Sequence, residues 1–473
     1  MITENAGDFN RLEKEIYKFC CKIGCELLKT ALETWDSELA QSRDRQIYRH
    51  KGKRKTVVKT VMGEVEYERN MYKHRSETGE YEKYVYLLDI AMGKTGNGFY
   101  SGLLSEQIVQ ASCEGAYRSA ARSVSELTGQ NISHTAAWRV VQELGKRVEI
   151  DERSVKRHET TKKLEAKLLF EEQDGIWLNL QGKSRKEHGK SKEMKLGIAY
   201  DGCISLGTSK KTGKTRYKLT NKVACASFES AEKFVKRKEA VIAKTYNTDE
   251  IEMRFLNGDG AAWIKQSISD ETVHFQLDPF HRNKAIRSYV INPEVQEQIT
   301  ELLYEKKIDT LLDYIEAMKN SVEDEREQEN YGTLLTYFRN NKDGLIPCHR
   351  QGHNVPKAPK DKEYRRLGAM ESNIFTILGN RMKGRRACWS IDGGGNLARL
   401  LCLKFTNKLS DTLSNLTSLV LPHRYAEEIE IKMSAKQVAL REGKGYNGFK
   451  QMTIPSEMKW LKDMVSMKSL LDF

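Results

Sequence analysis

The spacing of apolar residues predicts a chain that begins with a helix and continues into a β-hairpin. Apolar positions recur at helical intervals from Leu12 to Leu39, so about the first 45 residues are expected to be helical. The segment 56–69, TVVKTVMGEVEYER, is typical of a hairpin, with Met62-Gly63 as its turn. The glycine-rich segment 93–102 then marks the first predicted domain boundary.

Two short helices are predicted beyond this boundary. The first covers 113–127 and is broken at Thr128-Gly129, and the second runs from 134 to 144 behind Ser133, a good N-cap. Such a pair is typical of a helix-turn-helix, whose second helix enters the major groove of DNA, although helix pairs also occur as plain scaffold. The side chains that we expect to contact DNA from the second helix are Arg139, Gln142, Lys146 and Arg147.

From residue 164 onward, strands and helices alternate. In order, the pattern predicts strands at 167–181, 195–200 and 219–228, a helix at 229–246, a strand at 252–256, a helix at 261–267, a strand at 272–277, helices through 293–341 and a late helix near 369–380. This order predicts an α/β domain. Its first three strands could form a meander, and its first and fourth strands could be neighbours in one sheet.

Composition narrows the class of protein. The 473 residues are 39% hydrophobic with 7 prolines, as expected of an ordinary globular chain of about three domains. No apolar run approaches the roughly 18 residues that span a bilayer, and the start MITENAGDFN has no signal-peptide pattern, so we expect a soluble cytoplasmic protein with no membrane partner. Nine cysteines without any CxxC argue against a disulfide framework and a zinc knuckle.

Positive charge is clustered, and this changes the picture more than the net charge of +13. Lys and Arg residues are concentrated in three runs, at 49–59, 205–222 and 380–386. Their residues proposed to bind DNA are Lys51, Lys53, Arg54 and Lys55; Lys210, Lys211, Lys214 and Arg216; and Arg381, Lys383, Arg385 and Arg386. Clustered cations bind nucleic acid through counterion release, although a single run is more often a solvated face.

Three acids have positions that suit a shared metal site. Asp174 lies in the first strand of the α/β region, Asp259 just after the fourth strand, and Glu371 at the start of the late helix. Carboxylates on adjacent elements suit Mg²⁺, and two such ions about 3.5–4 Å apart catalyse phosphoryl transfer. The alternative is chance, because the chain has 66 acids and Asp-Gly is an ordinary turn.

A set of motifs reduces the weight of that alternative. EEQDGIWLNLQG, FLNGDGAAWIK, LDPFHRNKAI and GAMESNIFTILGNRMKGRRACWS together resemble the DDE transposases of bacterial insertion sequences, in particular the ISLre-type family related to the Mutator-like group. The resemblance spans nearly all of residues 1–420. It implies an RNase H-like α/β core with a mixed five-stranded sheet, flanked by helices and interrupted by a helical insertion.

The sequence pattern and the resemblance together divide the chain into six segments. They are an N-terminal helix and hairpin region at 1–100, a helix-turn-helix at 101–160, the first part of the core at 161–290, the insertion at 291–364, the second part of the core at 365–421 and a helical tail at 422–473. The first two segments are expected to bind the ends of the element.

Residue roles follow from the same resemblance. Asp174, Asp259 and Glu371 would be the catalytic, metal-binding triad for two Mg²⁺ ions, with Mn²⁺ as a substitute. Three further residues, Asp278, His281 and Arg282, match an auxiliary element; His281 would orient a phosphate or a neighbouring ligand, or simply be packed at a helix start. Trp389 would stack on an unpaired base or lie in the core. Glu172 is a rival ligand or a supporting residue for Asp174.

The implied function is a transposase. It would bind the terminal inverted repeats of its element in double-stranded DNA, nick a strand and join the freed 3′-OH to target DNA. Joining two ends implies a homodimer or larger assembly, in the bacterial cytoplasm and on the nucleoid when bound to DNA. Two alternatives stay open: an RNase H-like nuclease that only hydrolyses DNA, and a non-catalytic DNA-binding regulator derived from a transposase.

Overall fold

The structure is a computed structural model that describes residues 8–75, 81–92, 99–153 and 163–417. The chain divides into two compact units. Of the described residues, the first unit comprises those within 8–107, those at 121–133 and Thr417, and the second comprises Ile108–Ala120 and those within 134–416. The predicted tail at 422–473 lies outside the described residues, and the division into six segments stays a prediction.

Among the described residues, no helix combines the length and the apolar character that crossing a membrane requires.

The first unit is built on a four-stranded sheet in the order β3-β2-β1-β4, with a long helix packed on it. Its elements, together with the two helices whose residues are shared between the units, are α1 Phe9–Ser42, β1 Tyr48–Lys59, β2 Glu64–Arg75, β3 Tyr81–Val85, α2 Leu87–Ala91, β4 Phe99–Tyr100, α3 Gly102–Glu114 and α4 Tyr117–Thr128.

Alternation of buried and exposed residues along β2 explains how the first unit closes. Val65 and Tyr67 point inward, where they meet Leu32 of α1 and Leu88 of α2 in one apolar cluster. The predicted hairpin and its Met62-Gly63 turn are confirmed, but its strands extend well beyond 56–69 at both ends. The whole basic run 49–59, and not just residues 56–59, is therefore part of a strand.

The second unit contains the α/β region. In chain order, its elements are α5 His134–Arg153, β5 Leu168–Leu180, α6 Gly182–His188, β6 Ser191–Tyr200, β7 Cys203–Thr208, β8 Thr215–Leu219, β9 Val223–Ser227, α7 Ala231–Thr245, β10 Met253–Gly258, α8 Ala262–Lys265, β11 Val273–Leu277, α9 Pro279–Tyr289, α10 Pro293–Tyr304, α11 Ile308–Ser321, α12 Glu325–Asn340, α13 Met370–Ile374, a π-helix Phe375–Lys383, β12 Cys388–Trp389, α14 Ile391–Phe405 and α15 Leu409–Thr417.

Its main sheet is mixed and has the strand order β11-β10-β5-β6-β9, with β12 paired to the far end of β5. β5, β6 and β9 form an antiparallel meander, whereas β10 runs parallel to both β5 and β11. The mixed α/β class and the neighbouring position of the first and fourth strands are thus confirmed. The two-stranded hairpin β7-β8, which carries the basic run 205–222, was not predicted as strand.

The helical stretch predicted at 293–341 consists of α10, α11 and α12. Ile299, Leu311, Ile315, Leu334 and Phe338 are almost completely buried in one apolar cluster shared with α9. This segment therefore has an apolar core of its own. The core is continuous with the sheet through Leu277 of β11 and Ile286 of α9.

Glycines allow α14 to pack closely in the second unit. A side chain at Gly145 of α5 would collide with the backbone of Asn396, and one at Gly394 would press on Phe228. Because α5 is held this closely against α14, it is one of the structural helices of the second unit. This packing determines which of its side chains face solvent.

Candidate active site

Asp174 occupies the centre of the main sheet. It lies on β5, and one of its carboxylate oxygens accepts a hydrogen bond of 2.7 Å from the backbone N–H of Gly175. Side chains alternate along a strand, so Asp174 shares its face with Glu172 and Ile176. The π-helix lies over this face, since its Gly379 approaches Ile176.

His281 approaches Asp174 from the first turn of α9. Asp278 caps this helix, and its carboxylate accepts hydrogen bonds from the N–H groups of Phe280 and His281 at 2.8 and 3.2 Å. The His281 Nε2 atom lies 3.8 Å from the Asp174 Oδ2 atom, which is an ion-pair distance when the imidazole is protonated. This pairing with Asp174 raises the pKa of His281, and burial opposes the change.

Glu371 completes the group from the first turn of α13. One ligand atom each from Asp174, His281 and Glu371 lie within 4.8 Å of one another. Glu371 is exposed, so the group opens to solvent on the side of α13. The π-helix follows at once, a rare conformation that frequently occurs at functional sites.

Asp259, the second acid of the expected triad, borders this group but is not one of its three members. It follows β10, and one of its carboxylate oxygens accepts a hydrogen bond of 2.9 Å from the N–H of Ala261. Burial raises its pKa, as do the negative charges of Asp174 and Asp278, whereas the Ala261 hydrogen bond and His281 lower it. The structure therefore joins two of the three expected acids with His281, and places Asp259 in their electrostatic neighbourhood.

Glu193 is a fourth acid near the site, and no motif or spacing in the sequence distinguishes it. It lies on β6, where its carboxylate fills the space left by the absent side chain of Gly175. Burial raises its pKa, the charge of Lys195 lowers it, and the charges of Asp259 and Asp174 raise it. Negative charges that converge in this way favour a bound cation.

The donor set can be compared with what divalent cations prefer. Two carboxylates and one imidazole, partly open to solvent, leave room for water or phosphate oxygens in the remaining positions. Mg²⁺ prefers an all-oxygen shell, whereas an imidazole also suits transition metals. The residues therefore fit Mn²⁺ well, and they fit Mg²⁺ if Asp259 or water supplies the oxygen in place of His281.

Glu172 is not a free ligand, although it is fully buried two residues before Asp174. Its donors are the Tyr200 hydroxyl at 2.7 Å, the Asn257 amide at 3.1 Å, and the backbone N–H groups of Gly368, Ala369 and Met370 at 3.0, 3.0 and 3.1 Å. Burial raises its pKa, and the donated hydrogen bonds lower it. Five donors use its lone pairs, so it supports the site rather than binding a cation.

Arg282 points away from the cluster of acids. Its guanidinium donates a hydrogen bond of 3.0 Å to the backbone oxygen of Leu345, which follows α12 and belongs to the apolar cluster of the helical segment. Burial lowers its pKa, and the charge of Asp278 opposes this. In this structure Arg282 therefore anchors the helical segment, and a role on DNA would require it to leave Leu345.

The basic residues proposed to bind DNA fall into exposed and internally bonded sets. The exposed side chains are Lys51, Lys53, Arg54, Lys55, Arg139, Lys146, Lys210, Lys211, Lys214, Arg216, Lys383 and Arg386. Lys55 also pairs with Glu66 at 3.0 Å. The side chain of Arg385 lies outside what the structure describes.

Four proposed DNA contacts already have partners inside the second unit. The amide of Gln142 accepts a hydrogen bond of 2.8 Å from Asn396, and Arg147 pairs with Glu143 at 2.6 Å. Arg381 donates a 2.8 Å hydrogen bond to the backbone oxygen of Ser112. The Trp389 indole is buried and donates to the backbone oxygen of Met382 at 2.8 Å, which matches the core alternative rather than base stacking.

Comparison with known proteins places this chain among bacterial relatives. A family model described as "Uncharacterised protein family (UPF0236)" matches residues 2–411. A UPF0236 protein of Caldanaerobacter subterraneus subsp. tengcongensis, whose name joins eleven loci, is 24% identical over 366 residues, which are 74% of this chain and 72% of the relative. A Streptococcus gallolyticus protein named "UPF0236 protein in vanSb 3'region" is 23% identical over 407 residues, 85% of this chain and 84% of the relative.

A search of solved structures matched the "Drosophila P element transposase strand transfer complex". The match covers 81% of this chain and 96% of that chain, with 10% sequence identity and a TM-score of 0.24. A TM-score of this size does not establish a common fold.

Proposed function

This chain belongs to the UPF0236 family, and we propose that it is the transposase of a bacterial insertion sequence. It would bind the inverted-repeat ends of the element and catalyse metal-dependent cleavage and transfer of DNA strands. The observation that carries the proposal is the convergence of Asp174, His281 and Glu371, which lie far apart in sequence on β5, α9 and α13.

The names of the relatives support this proposal independently of the structure. One name joins eleven loci of a single bacterial genome, and another joins four. A gene that recurs at many places in one genome is what a mobile element produces, whereas a regulator or a housekeeping nuclease needs few copies. The repeated loci therefore favour transposition over the two alternatives.

The sheet supports an RNase H-like assignment for the second unit, which we include in the proposal. Three antiparallel strands, β5, β6 and β9, continue on the other side of β5 into the parallel strands β10 and β11. Asp174 on β5 and Asp259 after β10 thus come from neighbouring strands. The helices α10, α11 and α12 would be the insertion that the resemblance implies between Asp259 and Glu371.

The residues of the site would have separate tasks on DNA. Asp174 and Glu371 would hold two Mg²⁺ ions per site, or Mn²⁺ in their place, and Asp259 would contribute from its edge. When bound, such ions offset charge on the scissile phosphate and lower the pKa of the attacking hydroxyl. His281 carries a proton to higher pH than a free imidazole, so it can donate to a phosphate oxygen or lose that proton to become a ligand.

Exposed basic side chains would hold the DNA backbone. Lys383 and Arg386 follow Glu371 in the second unit, and the hairpin β7-β8 presents Lys210, Lys214 and Arg216 to solvent. The strand β1 presents a further set in the first unit. Phosphate contacts of this kind position the duplex and leave sequence recognition to other groups.

A single incubation tests the proposal. The purified chain is mixed with a duplex that bears an end of its own element, a supercoiled target and Mg²⁺ or Mn²⁺, and nicks and joined products are mapped at nucleotide resolution. We expect cleavage at the end, joined products, and loss of both in EDTA. Cleavage without joining would indicate the hydrolytic nuclease, and end binding that is indifferent to EDTA without any nick would indicate the regulator.

A further inference from the structure

We propose that Glu172 and Asn257 are positioning residues, which hold the three ligand-bearing elements of the candidate site at fixed distances from one another. This inference rests on the proposed function, because it concerns the geometry of the cation site. It names two residues that would not touch the cation or the DNA. Both side chains have no exposed surface.

Glu172 fastens α13 to β5. Two oxygens of one carboxylate accept three consecutive backbone N–H groups, those of Gly368, Ala369 and Met370, which lie immediately before Glu371. Because Glu172 and Asp174 lie on the same face of the same strand, the start of the Glu371 helix is tied two residues away from Asp174. The distance between these two candidate ligands therefore depends on one buried side chain.

Asn257 extends this connection to α9. Its amide nitrogen donates one hydrogen to Glu172 at 3.1 Å and the other to Asp278 at 2.6 Å. Asp278 in turn caps the helix that carries His281. The amide oxygen of Asn257 accepts from Gln276 at 2.9 Å, so the orientation of the amide is determined by its partners.

The chemistry of this network argues against simple packing. A buried carboxylate costs free energy unless donors satisfy it, and a well-packed apolar side chain would stabilise a core at least as well. An amide that uses both hydrogens to bridge two carboxylates gives directional restraint, which apolar contact does not. Groups behind metal ligands fix the orientation of those ligands, and their loss typically weakens metal binding by about 10–100-fold.

The neighbouring residue supplies a matched control. Glu171 is equally buried on the opposite face of β5, where Lys238 and Arg254 pair with it. Glu171→Gln and Glu172→Gln are therefore the same isosteric change, one position apart, at two buried carboxylates. Only Glu172→Gln places an NH₂ group against backbone donors that precede Glu371.

The test is calorimetric titration of the full chain with Mn²⁺, together with urea unfolding and cleavage rates over a range of Mn²⁺ concentrations. We expect Glu172→Gln to weaken Mn²⁺ binding by about 10–100-fold and its cleavage to recover as Mn²⁺ is raised. Glu171→Gln is expected to lower stability and leave Mn²⁺ affinity unchanged. A purely structural role for Glu172 would lower stability without changing the Mn²⁺ dependence.

Two results would overturn the inference alone: equal Mn²⁺ affinity in Glu172→Gln and wild type, or equal loss in both glutamine variants. If wild type neither binds Mn²⁺ nor cuts DNA, the proposed function falls with it. If Glu172→Gln fails to fold, Tyr200→Phe is tested in its place. This change removes one hydrogen-bond donor to Glu172 and keeps an aromatic ring stacked on Phe170, with ring centroids 5.4 Å apart. A smaller loss of Mn²⁺ affinity is expected there, and an unchanged affinity contradicts the inference.

Discussion

The two faces of strand β5 differ in the groups that stabilise a buried carboxylate: cations on one face and neutral hydrogen-bond donors on the other. On one face, Glu171 pairs with Lys238 and Arg254, and Arg254 also pairs with Glu239 at 2.9 Å. On the other face, the hydrogen-bond donors to Glu172 among the described residues are hydroxyl, amide and backbone groups, which carry no net charge. Asp174 lies on this second face, beside His281.

The difference shows how one strand can serve structure and chemistry at once. On one face, Lys238 of α7 and Arg254 of β10 neutralise the negative charge of Glu171 within the fold. On the other face, neutral donors hold Glu172, and the negative charge of Asp174, which is partly exposed, stays available to a cation that arrives from solvent. The predictions below separate the two faces, beginning with the largest expected effect.

Asp174→Asn is expected to reduce strand cleavage by about a thousandfold or more, because it removes a charged ligand worth several kcal/mol in the transition state. End binding should be retained, since the change lies away from the exposed basic side chains. Single-turnover cleavage and a gel-shift assay of the same preparation measure the two effects. Equal loss of cleavage and binding would contradict the assignment of Asp174 to the chemistry.

Lys238→Met tests the other face of β5, because it removes an ion-pair partner of Glu171. The change removes one of the two cations that pair with the buried Glu171, and Arg254 remains, so we expect the free energy of unfolding to fall by less than the roughly 3–5 kcal/mol that a fully unpaired buried charge costs. Urea denaturation measures this loss, and Mn²⁺ titration of the folded fraction should match wild type. A variant that keeps its stability but binds Mn²⁺ more weakly would show that the two faces are not independent.

His281 predicts a pH dependence of the metal-free protein. Pairing with Asp174 raises its pKa in the folded state, so its stabilising contribution is complete below the unfolded value of about 6.5 and is lost as pH rises through the raised pKa. The effect is expected to be at most about 1 kcal/mol, because the pair is only partly buried. Unfolding of wild type and His281→Gln at pH 6 and pH 9 measures it.

Mn²⁺ affinity should change in the opposite direction, rising with pH as His281 loses its proton. His281→Gln should flatten both pH profiles. If the affinity of wild type is flat while that of the variant is unchanged, His281 is not a ligand and acts on phosphate instead.

Lys55→Ala should have the smallest effect. Lys55 and Glu66 are both exposed, so their ion pair should add no measurable stability. A phosphate contact from Lys55 would instead appear as a decrease of about 1 in the slope of log affinity against log salt concentration. Filter binding of end-bearing DNA between low and moderate salt tests this, and an unchanged slope would remove Lys55 from the DNA interface.

Local pattern predicted the turn of the first hairpin but not the length of its strands. The turn at Met62-Gly63 follows from residue type, whereas residues 48–55 are largely charged and do not alternate. They form a strand because they pair with β2. Among the described residues, β4 pairs with β1 at Val58 and Lys59 alone, so the rest of β1 is an edge where exposed Lys and Arg side chains are well tolerated. Edge position is a property of the sheet and not of the segment.

The same limit applies to the site. The order of strands and acids predicted that Asp174 and Asp259 would come from neighbouring strands, and β5 and β10 do pair. The order could not predict Asn257, because an asparagine inside an apolar strand is informative only once its two carboxylate partners are known. Gln142 shows the converse, since an amphipathic helix does not reveal whether a polar side chain meets DNA or Asn396.

The π-helix behind Glu371 makes the spacing of this segment matter more than its composition. A π-turn contains roughly one residue more than an α-turn, so losing a single residue between 375 and 383 would let the segment rewind as ordinary α-helix. The residues that follow, including Trp389, which pairs with β5, would then shift and rotate relative to that strand. Residues 375–383 should therefore tolerate substitutions better than deletions. Related proteins should differ in length in other segments.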